Sequence, residues 1–144
     1  MKRTDDLIIV QEHFNTPIEK VWRYITELGE MKQWYFENID NFKPKVGSKS
    51  SFKVQAEGRI FTHLWEVTEV EAPRLIKYNW KYKEYPGDSF VTFELEESDE
   101  ITTLTLTVEV TVDFPDEIPE FKRESCIGGW NYFIKDRLRN YLCE

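Results

Sequence analysis

Two histidines, His13 and His63, are the side chains of this sequence best suited to acid–base chemistry near neutral pH. His63 alternates in register with Phe61, Trp65 and Val67, which places it on the apolar face of a predicted strand. There it would be either a polar anchor or acid–base group inside a pocket, or a hydrogen-bonded histidine of the core. The sequence leaves both interpretations open. His13 ends the first predicted strand, a position more typical of a structural residue.

The cysteines offer less. Cys126 and Cys143 fall in one predicted helix, where they would lie about 25 Å apart, beyond disulfide reach. Both are expected to be packing residues. The histidines and cysteines lack the spacing of metal ligands, and no Ser-His-Asp or Cys-His order stands out. We therefore predict no metal site, no cofactor and no catalytic residue.

Aromatic side chains form the larger group of candidates, and they are expected to face the space between a sheet and a helix. The predicted ligand-binding residues are His63, Trp65, Tyr78, Trp80, Phe93, Trp130 and Phe133. In one interpretation the rings fill a solid core. In the other they line a pocket, where the hydroxyl of Tyr78 or Tyr82 and the Trp N–H groups supply a few polar contacts. A pocket requires a void and an opening in the folded protein.

The elements that position these residues follow from hydrophobic periodicity. Residues 7–14 are β-branched and apolar, which predicts a strand. Pro17 begins a helical pattern that Asn15 or Thr16 is expected to cap, and a short second helix carries Trp34. Five segments between residues 52 and 112 then alternate apolar and polar side chains, which is typical of an antiparallel sheet with one solvated face. The acidic tip 97–100 is expected to be a solvated turn.

The last segment, from about Glu120 to Cys143, returns to a helical period with one apolar stripe. Gly128 and Gly129 are expected to let this helix bend or approach the sheet closely. The predicted class is α+β, a helix-grip fold: a curved antiparallel sheet of about six strands wraps around a long C-terminal helix, with two short helices after strand one.

The composition and net charge restrict the classes of partner that this protein can bind. The 144 residues predict one domain over 1–144, and the net charge is −8. Such a chain is repelled by phosphate backbones and anionic lipids, so nucleic-acid binding is disfavoured. No apolar run reaches the length of a membrane span, so no membrane insertion is expected, and no secretion signal is visible. We expect a cytoplasmic protein, with a monomer favoured.

Several short motifs carry a family resemblance. Residues 14–22, FNTPIEKVW, resemble the opening motif F-x-x-P-x-E-x-V-W of the SRPBCC (START/Bet v 1-like) superfamily. Within it, the chain is similar to the branch of the C-terminal domain of the activator of heat-shock-protein-90 ATPase. The further matching positions are Trp34, Val46-Gly47, residues 67–75, Tyr78, Trp80, residues 91–95 and Gly129-Trp130. The resemblance runs from about Leu7 to Leu142.

This resemblance implies an apolar cavity between the sheet and the C-terminal helix. Our leading hypothesis is a non-catalytic protein that binds a small hydrophobic or aromatic molecule there. The second is a stress-related, co-chaperone-like module that meets a chaperone through its outer sheet face or acidic hairpin ends. The third is a cyclase-like enzyme that uses the same cavity.

Overall fold

A computed structural model describes residues 1–142, and within them six strands and three main helices form. The first half contains β1 (Ile8–Phe14), α1 (Ile18–Thr26), α2 (Leu28–Trp34), β2 (Lys49–Ala56) and β3 (Arg59–Glu71). The second half contains β4 (Leu75–Tyr82), β5 (Asp88–Ser98), β6 (Ile101–Val112) and, after a 3-10 turn at Pro119–Phe121, the C-terminal helix α3 over residues 123–142.

The six strands form one antiparallel sheet in the order β1-β6-β5-β4-β3-β2. Side chains alternate along each strand, so the sheet has one apolar face. This inner face packs on α3. In β6, for example, Leu104 and Leu106 are fully buried, whereas Thr103 and Thr105, which alternate with them, lie on the outer face. The predicted α+β helix-grip class is confirmed.

The start of α1 differs from the prediction. Pro17 is the N-cap residue, and neither Asn15 nor Thr16 caps the helix with its side chain. The backbone N–H of Ile18 instead donates to Oε2 of Glu97, 3.0 Å away at the tip of the β5–β6 hairpin. The capping prediction was wrong. Residues 97–100 are exposed, as expected of a solvated turn, and Glu97 in addition accepts the hydrogen bond at the start of α1.

The C-terminal helix is irregular along its length. It begins as an α-helix (Arg123–Asn131), continues with π-type hydrogen bonding (Tyr132–Leu138) and ends in an α turn (Arg139–Leu142). A Cβ atom at Gly128 or Gly129 would have no neighbour among the described atoms within 4 Å. The expected close approach to the sheet was therefore wrong. π-type segments are rare and often lie at functional sites.

Basic side chains fix α3 to one edge of the sheet. Arg123, Lys135 and Arg139 donate hydrogen bonds of 2.6–3.3 Å to backbone carbonyls of the β1 segment, at residues 6, 7, 11 and 13. These bonds satisfy carbonyls that an edge strand would otherwise expose. The α3 helix is thus anchored on the β1 side, opposite the β2 edge. None of the helices in residues 1–142 has the length and hydrophobicity needed to cross a membrane.

Candidate functional site

The seven predicted ligand-binding residues line one space between the sheet and α3. They lie on β3 (His63, Trp65), β4 (Tyr78, Trp80), β5 (Phe93) and α3 (Trp130, Phe133). Six are buried, and Phe133 is half-buried. The geometry therefore brings these residues together, as the alternation predicts.

A residue outside that set, Tyr35, occupies the centre of the space. It is 5% exposed and directly follows α2. Its hydroxyl forms a buried hydrogen bond of 2.9 Å with the hydroxyl of Tyr78. Its ring centroid lies 5.1–6.4 Å from those of Trp65, Trp80, Phe93, Trp130 and Phe133. At these distances aromatic rings pack directly against each other.

Phe36 occupies the part of this aromatic space that lies beside Tyr35. Its ring centroid lies 5.0 Å from those of His63 and Phe133, and 6.0 Å from those of Trp65 and Trp80. Unlike Tyr35, Phe36 is only half-buried. Together the two side chains contact all seven predicted residues, so the chain places its own rings where the hypothesis expects a ligand.

Sequence reasoning missed Tyr35 and Phe36, although a signal for them exists. They follow Trp34, and three consecutive aromatic residues cannot share one face of a helix because neighbours are about 100° apart. The helix ends at Trp34, and the backbone of Tyr35, with φ of −102° and ψ of −111°, turns the chain inward. The Trp34 and Tyr35 rings then stack, with centroids 4.6 Å apart and planes 2° from parallel.

The void that remains inside is small. A cavity of about 40 Å³ lies beside Trp80, Tyr82, Cys126 and Trp130. A cavity that binds benzene measures roughly 150 Å³. This cavity therefore cannot hold an added ring unless one of the rings that line it moves, and around it the aromatic side chains of the described residues pack as the filled-core interpretation expects.

An open groove of about 520 Å³ borders the filled space, between the turn after α2, strand β2 and helix α3. Phe36 and Phe133 line it, so the groove reaches the aromatic interior through these two half-buried rings. Its polar lining comes from Lys32, Glu37, Asn38, Lys53, Gln55, Tyr132 and Arg137. Tyr132, Phe133 and Arg137 belong to the π-type segment of α3.

Burial keeps His63 neutral. The side chain is 4% exposed and stacks on Phe52, with ring centroids 4.8 Å apart. Desolvation lowers the pKa of His63 to about 4, against a smaller opposing effect of its hydrogen bond with the carbonyl of Phe61. That bond, 3.1 Å from Nδ1, requires the Nδ1–H tautomer and leaves Nε2 as an acceptor. The acid–base interpretation requires a histidine that titrates near pH 7, and a pKa of about 4 does not meet this requirement.

Most polar atoms of this interior are hydrogen-bonded to one another. Nε1 of Trp80 donates to the hydroxyl of Tyr82 over 2.8 Å. In residues 1–142, Nε1 of Trp65 is the one buried side-chain nitrogen or oxygen without a hydrogen-bond partner. Such an unpaired donor costs about 1–3 kcal/mol, which a ligand acceptor would offset.

The described residues contain no cluster suited to a metal or a nucleophile. No three His, Cys, Asp or Glu side chains of residues 1–142 come close enough to hold a metal ion. Burial raises the pKa of the Cys126 thiol to about 11, so this cysteine is protonated at pH 7. Cys143 lies outside the described residues.

A second groove, of about 380 Å³, lies on the outer face of the sheet near the β2 edge. Leu64, Glu66, Asn79 and Lys81 line it from β3 and β4, and Asp40 lines it from the loop before β2. This face is opposite the aromatic interior, because these residues alternate with the buried ones.

Comparison with known proteins identifies the family. Residues 15–143 match the Activator of Hsp90 ATPase homolog 1-like (AHSA1) proteins. The chain belongs to this family. The predicted membership of the SRPBCC superfamily, in its AHSA1-like branch, is thereby confirmed. No curated protein matches the chain.

Several solved structures share the AHSA1-like fold. CV1439 from Chromobacterium violaceum is 21% identical with a TM-score of 0.78, over 94% of this chain and 96% of its own. MLL2253 from Mesorhizobium loti is 25% identical with a TM-score of 0.73, over 96% and 97%. CalU16 from Micromonospora echinospora is 21% identical with a TM-score of 0.68, over 94% and 75%. These likenesses establish the architecture around the aromatic space and leave its occupant to be argued from the residues.

Proposed function

We propose that this protein binds a small aromatic molecule between its sheet and α3, in the space that Phe36 occupies in this structure. The observation that carries the proposal is the position of Phe36. Its ring is half-buried at an open groove, yet packs against His63, Trp65 and Phe133. A ligand ring that displaces Phe36 would pack against the same three side chains.

The energetics favour Phe36 over Tyr35 as the ring that moves. Tyr35 is almost completely buried and hydrogen-bonded to Tyr78, so its removal would leave a buried hydroxyl without a partner. Phe36 has no polar atom in its side chain and already faces the groove. Rotating Phe36 outward would expose apolar surface, at a free-energy cost of about 25 cal/mol per Å². An aromatic ligand that enters the same space would offset this cost, because its own ring becomes buried.

The role we propose is binding and not catalysis. The hydroxyls of Tyr35 and Tyr78 bond to each other, and Nδ1 of His63 bonds to a backbone carbonyl. A ligand could still accept a hydrogen bond from Nε1 of Trp65 or donate one to Nε2 of His63. These groups would orient a ligand without activating it, which counts against the cyclase-like alternative.

A titration followed by two-dimensional amide NMR tests this proposal. Indole and 2-naphthol are added to the wild-type protein, to Phe36→Ala and to the matched control Phe90→Ala, whose ring lies on the outer face under Lys77. We expect saturable shifts around His63 and Trp130. Phe36→Ala should bind roughly tenfold more tightly, because the space is already open, and Phe90→Ala should bind like the wild type.

Absence of saturable shifts in both the wild type and Phe36→Ala would overturn the proposal. If Phe36→Ala does not fold, Phe36→Leu opens part of the same space and replaces it. An equal gain in affinity for Phe90→Ala would also contradict the assignment of the site.

The outer groove supports a second candidate, a protein-interaction module of the co-chaperone type. Family membership and the groove around Leu64, Glu66 and Lys81 are the observations that favour it. Purified Hsp90 would then shift amide signals of β3 and β4 on this face, and Leu64→Glu would abolish the shifts. Shifts confined to the β2–α3 groove, or none, would contradict this candidate.

A further inference from the structure

The groove beside Phe36 carries a charge opposite to that of the molecule. Three cationic side chains line it, Lys32 from α2, Lys53 from β2 and Arg137 from α3, together with one carboxylate, Glu37. The chain as a whole has a net charge of −8. The opening of the aromatic space is therefore a local region of positive charge on an acidic protein.

Within residues 1–142, these three cations form no ion pairs. None of the three lies within 4.0 Å of a carboxylate oxygen of residues 1–142. All three are exposed, which keeps them available to solvent and to ligands. Arg139, by contrast, forms an ion pair of 3.1 Å with Glu12 on the β1 side of α3.

The guanidinium of Arg137 is held in place. Its Nη2 donates to the carbonyl of Gln33 over 2.7 Å, and its Nη1 donates to the hydroxyl of Tyr132 over 3.2 Å. These bonds fix the orientation of the group, and a guanidinium has five N–H donors in all. A positioned guanidinium with donors to spare is suited to a carboxylate, which it binds with charge-assisted hydrogen bonds.

We propose that the ligand is an aromatic carboxylate. Its ring would enter the space of Phe36, and its carboxylate would remain in the groove with Arg137, Lys53 and Lys32. This inference rests on the proposed function and adds the chemical class of the ligand. An apolar site next to a cationic rim favours a molecule with both parts, because an uncharged ring supplies no counter-charge to the three cations.

A pair of matched probes distinguishes the contribution of the ligand's charge to the affinity from the contribution of its ring. Isothermal titration calorimetry compares 1-naphthoate with 1-naphthamide, which has the same ring system and no charge, on the wild type and on Phe36→Ala. We expect 1-naphthoate to bind about tenfold more tightly than 1-naphthamide, the difference that one charge-assisted contact provides. Raising the salt concentration from 50 to 500 mM should weaken only the naphthoate, because salt screens exposed charges.

Variants assign the effect to the rim. Arg137→Gln and Lys53→Gln should each weaken naphthoate binding roughly three- to tenfold and leave naphthamide unchanged. Lys45→Gln removes an exposed cation from the loop before β2, outside the groove, and should change neither. Two-dimensional NMR spectra of all variants check that the fold is retained.

The failures are distinguishable. Equal affinities for the two probes would overturn the proposal of a carboxylate ligand and leave the aromatic site intact. So would a loss of naphthoate affinity in Lys45→Gln as large as the loss in the rim variants. Absence of binding of both probes to the wild type and to Phe36→Ala would overturn the site itself and the carboxylate with it.

Discussion

The hydroxyl groups of Tyr35 and Tyr78 form the polar link inside the aromatic space, with 2.9 Å between their oxygens. Both residues are buried, and burial raises the pKa of each hydroxyl above its ordinary value. Removing one hydroxyl would leave the other buried without a partner, whereas removing both leaves an apolar contact. The pair therefore holds the turn after α2 against β4.

We expect Tyr35→Phe and Tyr78→Phe each to lower the free energy of unfolding by about 1–3 kcal/mol. The double variant should cost less than the sum of the two, because neither hydroxyl remains unpaired. Urea unfolding of the four proteins measures the coupling, with Tyr85→Phe as a control outside the pair. Additive costs would show that the two hydroxyls do not interact.

At the scale of elements, the β5–β6 hairpin completes α1. Glu97 accepts the hydrogen bond of the Ile18 N–H at the start of the helix. A carboxylate there satisfies a donor that has no partner within the helix and interacts favourably with the helix dipole. Helix α1 is thus linked to the sheet by a side chain distant in sequence.

Glu97→Ala should lower the free energy of unfolding by about 1 kcal/mol, the usual value of a helix cap. Glu97→Gln keeps an acceptor oxygen and should cost less. Glu96→Ala, an exposed neighbour on β5, is the matched control. Thermal unfolding and amide exchange of residues 18–20 report the effect, and equal losses for Glu96→Ala and Glu97→Ala would argue against the cap.

The C-terminal helix has two different sides. Its bonds to β1 hold one side in place, and its π-type segment faces the groove near β2. A ligand that enters through this groove meets the half-buried Phe36 and Phe133 before it reaches the buried rings. The groove therefore lies on the β2 side of α3, away from the bonds that hold this helix to β1.

At the scale of the whole molecule, a buried histidine couples stability to pH. In the unfolded chain His63 has its ordinary pKa of 6.5, and in the folded protein the value is about 4. As the pH falls below 6.5, the unfolded state binds the proton first, so stability decreases. The decrease levels off near pH 4, where the folded state also becomes protonated.

Between pH 6.5 and 4.5, His63 should account for a loss of about 2–3 kcal/mol in the free energy of unfolding. His63→Phe should lose less over this range, and the exposed control His13→Gln should lose as much as the wild type. Urea unfolding at several pH values measures the difference. A hydrogen bond with Arg139 lowers the pKa of Glu12, so the contribution of Glu12 to stability is lost mainly below this range. Parallel curves for the wild type and His63→Phe would contradict the burial of a neutral imidazole.

The sequence by itself determined the class of fold and the order of its elements. Periods of two and 3.6 residues are local properties, so they place Trp65, Trp80 and Trp130 on inward faces without knowledge of the rest of the chain. The short motifs around Pro17 and Trp130 were sufficient for the family. The inward positions of the seven predicted residues follow from these two periods, five from the strands and two from the C-terminal helix.

Only the tertiary structure decided what fills the space between those faces. Tyr35 enters the interior because α2 ends there and the chain turns inward. Glu97 bonds to the N–H of Ile18, and Arg137, Lys32 and Lys53 line one groove, although these residues are far apart in sequence. No local pattern encodes such contacts, since they depend on where separate elements come together. The occupied interior and the cationic groove are for that reason properties of the folded chain.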